Sequence, residues 1–378
     1  MSQSFRICRI RGIDVKVHFS LMFVLAFLIY AFYIMPPPYG YADFSPSLRL
    51  AMSVLTTIVF FACILFHELC HSYFALKFGS RVRGIVLFIF GGVSLIDEIP
   101  KEPKKEFVMA IAGPAGSFLL AALSYVLMVS IPIPPLQRFF FIMWYFNAIL
   151  GAFNLIPAFP MDGGRVLRSF LAQRMGYVKA TRVAAEVGRF MAITMALFGF
   201  VSMNIWLILI ALFVYLGAGE EERHVTIEGI LNRFRIADIM TPNPICVTPE
   251  TPREKVVELM LKYKHLGYPV VDELGKLVGI VTLKDLIEKP GETVGDIMSR
   301  KVVAVTPYAS ADRVLRLMTE KGIGRVPVVD ESGRVIGIVT RSDVMRVTEI
   351  VEVIENYSKL YGHRHAEEHY SPGNYQSC

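Results

Sequence analysis

The chain has 378 residues, of which 54% are hydrophobic and 19% charged, and its mean hydropathy is +0.48. Ordinary soluble proteins have about 45–50% apolar and about 25% charged residues, so this composition argues against a wholly soluble protein. It also excludes a disordered chain, because disorder requires low hydrophobicity. A net charge of +6 could indicate a nucleic-acid partner, but the basic residues flank apolar segments, where they act as membrane topology signals. We therefore expect no nucleic-acid partner.

Residues 1–219 consist of long apolar runs, which predict a polytopic α-helical membrane domain of about six spans. The first run has span length and no small-residue cleavage site, so no cleavable signal peptide is expected. The last two runs are short, and we expect both to extend into their flanks around a tight reversal at 202–204. The predicted spans are residues 18–35, 48–76, 107–131, 139–157, 190–201 and 205–216.

Lysine and arginine alternate between the loops of this six-span arrangement. Four lie in residues 1–17, six in 77–106 and five in 158–186, whereas the intervening loops carry only Arg49 and Arg138. Cytoplasmic loops are enriched in Lys and Arg. The pattern therefore predicts a multi-pass protein of the cell membrane with both termini, and the C-terminal domain, in the cytoplasm.

An H-E-x-x-H motif, residues 67–71, lies inside the second predicted span. Four residues of helix rise about 6 Å and turn about 400°, so His67 and His71 lie on one face and can share a zinc ion. Glu68 lies one residue on, within reach of a water molecule without being a ligand itself. Because ionisable groups are costly at lipid depth, they indicate a functional site. The alternative is a pair of histidines that hydrogen-bond between helices.

A tetrahedral catalytic zinc needs a third protein ligand and an open position for water. The candidate is Asp162, which follows the fourth predicted span in the segment NLIPAFPMDGG. Pro157 and Pro160 are expected to break the helix, and the glycines after Asp162 to permit the turn that aims its carboxylate. The alternative is a solvated aspartate at the membrane interface.

The five cysteines are odd in number, scattered and without Cys-x-x-Cys spacing, which predicts free thiols rather than disulfides or a cysteine-bound metal. Cys63 and Cys70 lie close to His67 in sequence and are competing ligands. We interpret both as packing residues, because a thiolate would close the site. The cysteines are Cys8, Cys63, Cys70, Cys246 and Cys378.

Residues 220–361 are more polar and contain an internal repeat with an offset of 58 residues. The best match aligns GIVTLKD at 279–285 with GIVTRSD at 337–343. Each copy predicts a helix, a strand, a glycine-containing turn, a second strand and a second helix. In both copies a threonine ends the second strand, and an aspartate follows three residues later in capping position.

This repeat resembles a tandem pair of cystathionine-β-synthase (CBS) domains over residues 236–348, which implies a soluble α/β fold after the membrane domain. The resemblance implies that four side chains bind the ribose and phosphates of an adenosine nucleotide (ATP, ADP or AMP) that regulates the protein. It also admits a homodimer through the CBS domains. The alternative is a structural dimerisation module in which the aspartates only cap helices. The four residues are Thr282, Asp285, Thr340 and Asp343.

The H-E-x-x-H motif and residues 154–164 together resemble the site-2 protease family of intramembrane metalloproteases, and the resemblance covers residues 1–219. The resemblance implies a short membrane-embedded β segment, IFGGV at 89–93, in which Gly91, Gly92 and Val93 receive the substrate. It also identifies 12–20 as an entry segment and 112–114 as part of a small-residue third span.

Two positions depart from the common family pattern. Ser117 stands where asparagine is common, and Pro160-Met161 precedes Asp162 where the family often has leucine. We expect neither departure to contact a proposed ligand.

The implied reaction is hydrolysis of peptide bonds at one catalytic Zn²⁺ held by His67, His71 and Asp162. Glu68 is expected to take a proton from the attacking water and return it to the leaving amine. Asn154 is the candidate for hydrogen-bonding the oxyanion or the substrate backbone, and its alternative role is to stabilise its helix.

The expected substrate is a membrane-anchored protein within the lipid bilayer. It must present an extended strand, because a helix hides its peptide bonds, and the glycine-rich β segment offers strand addition. A nucleotide-gated transporter or channel is the second function class. It would require broken helices in both halves of a membrane repeat, which the sequence does not contain.

These features predict five segments along the chain. The tail contains His363, His365 and His369 and is predicted to be disordered, with weak metal binding as the alternative. The segments are an intramembrane metalloprotease domain at 1–219, a linker at 220–235, a first CBS domain at 236–290, a second CBS domain with a C-terminal helix at 291–361, and the tail at 362–378.

Overall fold

The computed structural model describes residues 4–89, 91–96 and 99–361. It divides into two compact units, Met1–Val225 and Thr226–Cys378. The histidine-containing tail and Phe90 of the predicted β segment lie outside the described residues.

Seven helices begin in the described part of the first unit, and all but the fifth contain all or most of one predicted apolar run. They are α1 (Ser20–Ile34), α2 (Pro46–Lys77), α3 (Pro103–Ser130), α4 (Pro134–Asn154), α5 (Asp162–Met175), α6 (Tyr177–Val201) and α7 (Ile205–Leu231). Within the described part of the chain, α2, α3, α4 and α6 are long and apolar enough to cross a membrane, and α1 is a shorter apolar helix. Proline begins α2, α3 and α4, where its missing N–H costs no hydrogen bond.

Two segments that the sequence analysis treated as loop or linker are helical. The stretch 158–186, counted as a loop by its charges, contains α5 and the first part of α6, and its Arg168 is fully buried. Helix α7 continues to Leu231, so most of the predicted linker at 220–235 is part of a helix. Charged residues ended the apolar runs in both places, but the helices continue through them, and charges such as Arg168 and Glu221 are paired within the protein.

A four-stranded sheet lies in the same unit, in the order β1-β2-β3-β4. Its strands are β1 (Ser4–Ile10), β2 (Ile13–His18), β3 (Val82–Phe88) and β4 (Gly91–Ile96). The pairs β1/β2 and β3/β4 are antiparallel, and β2/β3 is parallel. The sheet extends the predicted β segment, because residues 4–18 supply two further strands. Among the described residues, strand β4 pairs with β3 alone and is therefore an edge strand.

Helix α3 packs against α2, α4 and α5. Small buried residues of α3, including Ala112, Gly113 and Gly116, let the neighbouring backbones approach closely, as is usual between membrane helices. Large apolar side chains such as Leu119 and Leu197 are exposed on the outside of the unit, as expected for a lipid-facing surface.

The second unit contains two copies of the predicted helix–strand–strand–helix arrangement. After α8 (Ile236–Ile239) and β5 (Thr241–Pro242), the first copy comprises α9 (Arg253–Tyr263), β6 (Gly267–Val271), β7 (Leu277–Thr282) and α10 (Leu283–Glu288). After α11 (Val294–Ile297), the second comprises α12 (Ala311–Lys321), β8 (Arg325–Val329), β9 (Val335–Thr340) and α13 (Arg341–Tyr361). The four elements begin 58 residues apart in the two copies, which is the offset of the repeat. Each copy has its own buried hydrophobic cluster.

Candidate metal centre

Three side chains predicted as metal ligands meet inside the first unit. His67 and His71 lie four residues apart on α2, and Asp162 is the first residue of α5. Asp162 Oδ2 lies 3.3 Å from His67 Nε2 and 3.0 Å from His71 Nε2, and the two Nε2 atoms are 3.1 Å apart. All three residues are buried.

The separations fit a tetrahedral zinc ion. Zinc binds histidine nitrogen and carboxylate oxygen at about 2.0–2.2 Å, which places two ligand atoms about 3.3 Å apart in a tetrahedron. Gly113 of α3 supplies the space for an ion. A Cβ atom at residue 113 would clash with His71 Nε2 and would lie 2.6 Å from His67 Nε2. Glycine therefore leaves a cradle in front of both nitrogens.

The far side of each imidazole is held by α3. His67 Nδ1 lies 2.8 Å from Ser117 Oγ, and His71 Nδ1 lies 2.8 Å from the backbone oxygen of Met109. An Nδ1–H that donates to such an oxygen fixes the ring and leaves the Nε2 lone pair for a metal. The expectation that Ser117 contacts no proposed ligand was wrong. Serine is shorter than the asparagine common in the family, but α2 and α3 pack closely enough for it to reach His67.

Two glycines allow the segment before Asp162 to fold onto the start of α5. Helix α4 ends at Asn154, as the prolines predicted, and α5 begins at Asp162. A Cβ at residue 163 would clash with the backbone oxygens of Ile156 and Leu155, and one at residue 164 would lie 2.7 Å from the Phe159 nitrogen. Both glycines are helical, so they are required for close approach rather than for an unusual turn.

Glu68 is next to the metal cluster and half-buried. Ser94 of β4 donates a hydrogen bond of 2.7 Å from its hydroxyl to Glu68 Oε2. A Cβ at residue 92 would lie 2.6 Å from Glu68 Cγ, so Gly92 lets the edge strand lie directly against this carboxylate. The acid/base candidate and the substrate-strand candidate are therefore neighbours.

One cavity of about 610 Å³ joins these groups. It is lined by the metal cluster and Glu68, by β4 residues from Gly91 to Ser94, and by Asn154 and Arg165. Asn154 donates one amide hydrogen bond of 3.0 Å to the Leu150 oxygen of its own helix. Arg165 was not singled out by the sequence analysis. Among the described residues it has no hydrogen-bond or ion-pair partner.

The competing cysteine ligands lie outside the described metal cluster, whose members are His67, His71 and Asp162. Cys63 is a buried free thiol in an apolar cluster with Phe139 and Ile142. Cys70 is a half-buried free thiol that faces Gly116 of α3, where an added Cβ would lie 2.8 Å from its Sγ. Both therefore pack between helices.

In the second unit, the predicted Thr–Asp pairs form helix caps. Asp285 Oδ2 accepts hydrogen bonds from the backbone and hydroxyl of Thr282 at 2.9 and 2.6 Å, and Asp343 Oδ2 accepts the same two from Thr340 at 2.8 and 2.7 Å. Asp285 Oδ1 also forms an ion pair with the Lys289 ammonium at 2.7 Å and accepts a hydrogen bond from the Ser299 hydroxyl at 3.0 Å.

The two aspartates are therefore not equivalent. Although burial opposes ionisation, the hydrogen bonds from Lys289, Thr282 and Ser299 hold the pKa of the Asp285 carboxyl below its ordinary value. Among the described residues, hydrogen bonds to the Asp343 carboxylate come from Thr340 alone. The second copy thus has the more available carboxylate.

A buried His–His–Asp cluster beside a glutamate, among helices of membrane length, is typical of a membrane metalloprotease. The family model of Peptidase family M50 matches residues 55–137 and 131–197, and that of the CBS domain matches 236–292 and 294–349. A zinc metalloprotease of Methanocaldococcus jannaschii is 40% identical over 359 residues, covering 94% of this chain and 99% of the relative. The chain belongs to Peptidase family M50, the site-2 protease family of zinc metalloproteases, and carries a C-terminal CBS pair.

Two solved structures are similar to parts of the chain. The site-2 protease from Methanocaldococcus jannaschii is 38% identical, with a TM-score of 0.42, and the match covers 58% of this chain and 95% of that one. The CBS-pair protein CBSX2, solved in complex with AMP, is 32% identical, with a TM-score of 0.30, over 32% of this chain and 98% of that one. The predicted family, fold class and enzyme class are confirmed by the family models and the curated relative.

Proposed function

We propose that the protein hydrolyses peptide bonds in or near the transmembrane segments of membrane-anchored proteins, using one Zn²⁺ held by His67, His71 and Asp162. The observation that carries the proposal is a single cavity that contains this cluster, the Glu68 carboxylate and the edge strand β4. A protease needs a metal site, a proton carrier and a place for an extended substrate, and all three lie together here.

The bound zinc ion would polarise the scissile carbonyl and acidify water. Glu68 accepts the proton of the attacking water and passes it to the leaving amine, and Ser94 holds the carboxylate in place through Oε2. Asn154 has a second amide N–H besides the one bound to Leu150, and this group hydrogen-bonds the substrate carbonyl or the oxyanion.

The substrate binds in an extended conformation along β4. An edge strand offers unpaired backbone groups to a further strand, and Gly91 and Gly92 place no side chain in the way. Because the backbone at Gly92 lies against Glu68, a strand paired there passes beside the proton carrier. A membrane-anchored protein supplies such a strand only where its helix unwinds.

Removal of the metal is expected to abolish hydrolysis reversibly. The purified protein in lipid vesicles should cut a single-span model substrate into two fragments that mass spectrometry identifies. A zinc chelator should stop the reaction, and added Zn²⁺ should restore it. Cleavage that persists without detectable metal would contradict the proposal.

We also propose that both termini and the CBS pair are cytoplasmic, as the Lys and Arg distribution predicts. In a background without native cysteines, Tyr39→Cys and Pro134→Cys should react with an impermeant thiol reagent from outside the cell. Lys104→Cys and Lys179→Cys should not. External labelling of Lys104→Cys would overturn this topology.

Regulation by an adenosine nucleotide is the third part of the proposal, with the CBS pair at 236–361 as the binding module and as the surface of a homodimer. Its support is the CBS family match and the two Thr–Asp pairs at strand ends. Because Asp285 is already paired with Lys289, the second copy is the stronger site, with Thr340 and Asp343 contacting the ribose.

Asp343→Asn is therefore expected to weaken nucleotide binding by the full-length protein by about 10- to 100-fold, the effect of losing a hydrogen bond to a charged group. Calorimetry with ATP, ADP and AMP measures this, and Asp285→Asn should have a smaller effect. The matched control is Asp296→Asn, because Asp296 accepts the same cap bonds from Thr293 at 3.0 and 2.9 Å. If the Asp343 and Asp296 variants lost nucleotide affinity equally, helix capping would be the only role left for Asp343.

A further inference from the structure

A buried ion cluster lies beyond the metal ligands in the first unit. The side chains of Arg168 and Glu106 are fully buried, and that of Glu221 is 26% exposed. Arg168 Nε and Nη2 donate to Glu106 Oε1 at 2.8 and 2.5 Å, and Arg168 Nη1 donates to Glu221 Oε1 at 2.5 Å. The guanidinium also stacks on Phe159 and Tyr177, with its Cζ 5.0 and 4.7 Å from the ring centroids.

This cluster connects the helices that build the metal centre. Glu106 lies on α3, three residues before Met109, whose oxygen holds His71. Arg168 lies on α5, which begins with the ligand Asp162. Phe159 belongs to the segment immediately before that ligand. The guanidinium thus fixes α5, which carries one ligand, relative to α3, which orients the other two.

The third helix in the cluster is α7, through Glu221. Helix α7 is continuous from Ile205 to Leu231, so it runs from the first unit past the boundary at Val225 into the second. Among the described residues, Arg168 is the one arginine that forms an ion pair with both Glu106 and Glu221. A displacement of α7 would therefore change the hydrogen bonds of the side chain that holds α5.

The cluster has little tolerance for rearrangement. Charges removed from water are stable only when they are paired with good geometry, and the planar guanidinium satisfies its partners from a fixed fork. Within the described part of the chain, Glu106 Oε2 is already buried without a hydrogen-bond partner. Losing a further contact would leave two buried charges poorly matched, so the helices favour the arrangement in which all contacts are made.

We propose that Arg168 is a positioning residue of the metal centre, and that through Glu221 the position of α7 controls the placement of Asp162 relative to the two histidines. The proposal rests on the assignment of these three residues as zinc ligands. It supplies a route by which the second unit affects catalysis, since α7 is the covalent connection between the units. Such coupling requires two arrangements that bind metal or substrate differently.

The test compares Glu221→Ala with Glu222→Ala in the full-length protein. The two residues are neighbours on α7 with similar side-chain exposure, 26% and 22%, and Glu222 pairs with Arg189 and Arg182 of α6 instead of Arg168. Each variant is loaded with Co²⁺ alone, whose visible absorption reports ligand geometry. The catalytic constants kcat and KM are then measured with the zinc-loaded protein.

Glu221→Ala should alter the Co²⁺ spectrum and lower kcat by roughly 2- to 30-fold with little change in KM, the range typical of residues in coupling networks. Glu222→Ala should match the wild type in both. Glu221→Gln, which keeps an acceptor but removes the charge, should change both readouts less and replaces the alanine variant if that does not fold.

Wild-type spectra and kcat in the Glu221 variants, or equal changes in the Glu222 variant, would overturn the positioning role. A wild-type protein that gives no tetrahedral Co²⁺ spectrum would overturn the metal centre itself, and this proposal with it. The two failures are therefore distinguishable.

Discussion

Glu68→Gln is expected to reduce peptide hydrolysis by about 10²- to 10⁴-fold while zinc remains bound. The substitution removes the proton acceptor but leaves His67, His71 and Asp162 in place. Gln retains an oxygen that can accept the hydrogen bond from Ser94, so the side chain should keep its position beside β4. The loss should therefore fall on kcat rather than on substrate binding.

The contrast is with His67→Ala and Asp162→Ala, which should lose metal and activity together because each removes one of three protein ligands. Metal analysis of the purified proteins and cleavage of one membrane-anchored substrate decide between these outcomes. Cleavage by the Glu68→Gln protein at the wild-type rate would show that another group carries the proton.

The cluster of His67, His71 and Asp162 was predictable because its signals are local. The spacing of His67 and His71 follows from helix geometry, and the prolines before Asp162 end α4 within the chain's own sequence. Ionisable residues inside an apolar predicted span indicated a functional site, since such residues need partners at lipid depth. The CBS repeat was predictable for a similar reason, because self-similarity is visible without any tertiary contact.

The groups that support the ligands were not predictable, because they come from other elements. Ser94 reaches Glu68 from β4, and Ser117 and the Met109 oxygen reach the histidines from α3. A backbone oxygen has no signal in a sequence. The residues at 112–114 were identified as part of a small-residue third span, but the sequence did not show which side chains of α2 would face that helix.

Charge misled the sequence analysis around Arg168. In a membrane protein, arginines between apolar runs are interpreted as loop residues that report topology. Arg168 instead lies on a helix and is buried between Glu106 and Glu221, which are 62 and 53 residues away in sequence. Only the packing of α3, α5 and α7 brings these charges together.

Gly113→Ala is expected to weaken zinc binding strongly, although it adds only one methyl group. That methyl would overlap His71 Nε2 and lie 2.6 Å from His67 Nε2, in the space where an ion must sit. The imidazoles cannot turn away freely, because Ser117 and the Met109 oxygen hold their Nδ1 atoms. We expect zinc affinity to fall by at least roughly 100-fold, the upper end of what disturbed outer partners cause.

The substitution should not destabilise helix α3, because Ala within a helix is more stable than Gly by about 1 kcal/mol. The matched control is Gly116→Ala, one turn further along α3, where the new methyl would meet the Cys70 sulfur at 2.8 Å and the Phe66 ring at 3.2 Å. Those two groups are the ends of side chains that can rotate, so the control should keep its zinc. Metal content and melting temperature of both proteins test this: a Gly113→Ala protein that retains stoichiometric zinc would mean that the ion does not lie between the two Nε2 atoms and α3.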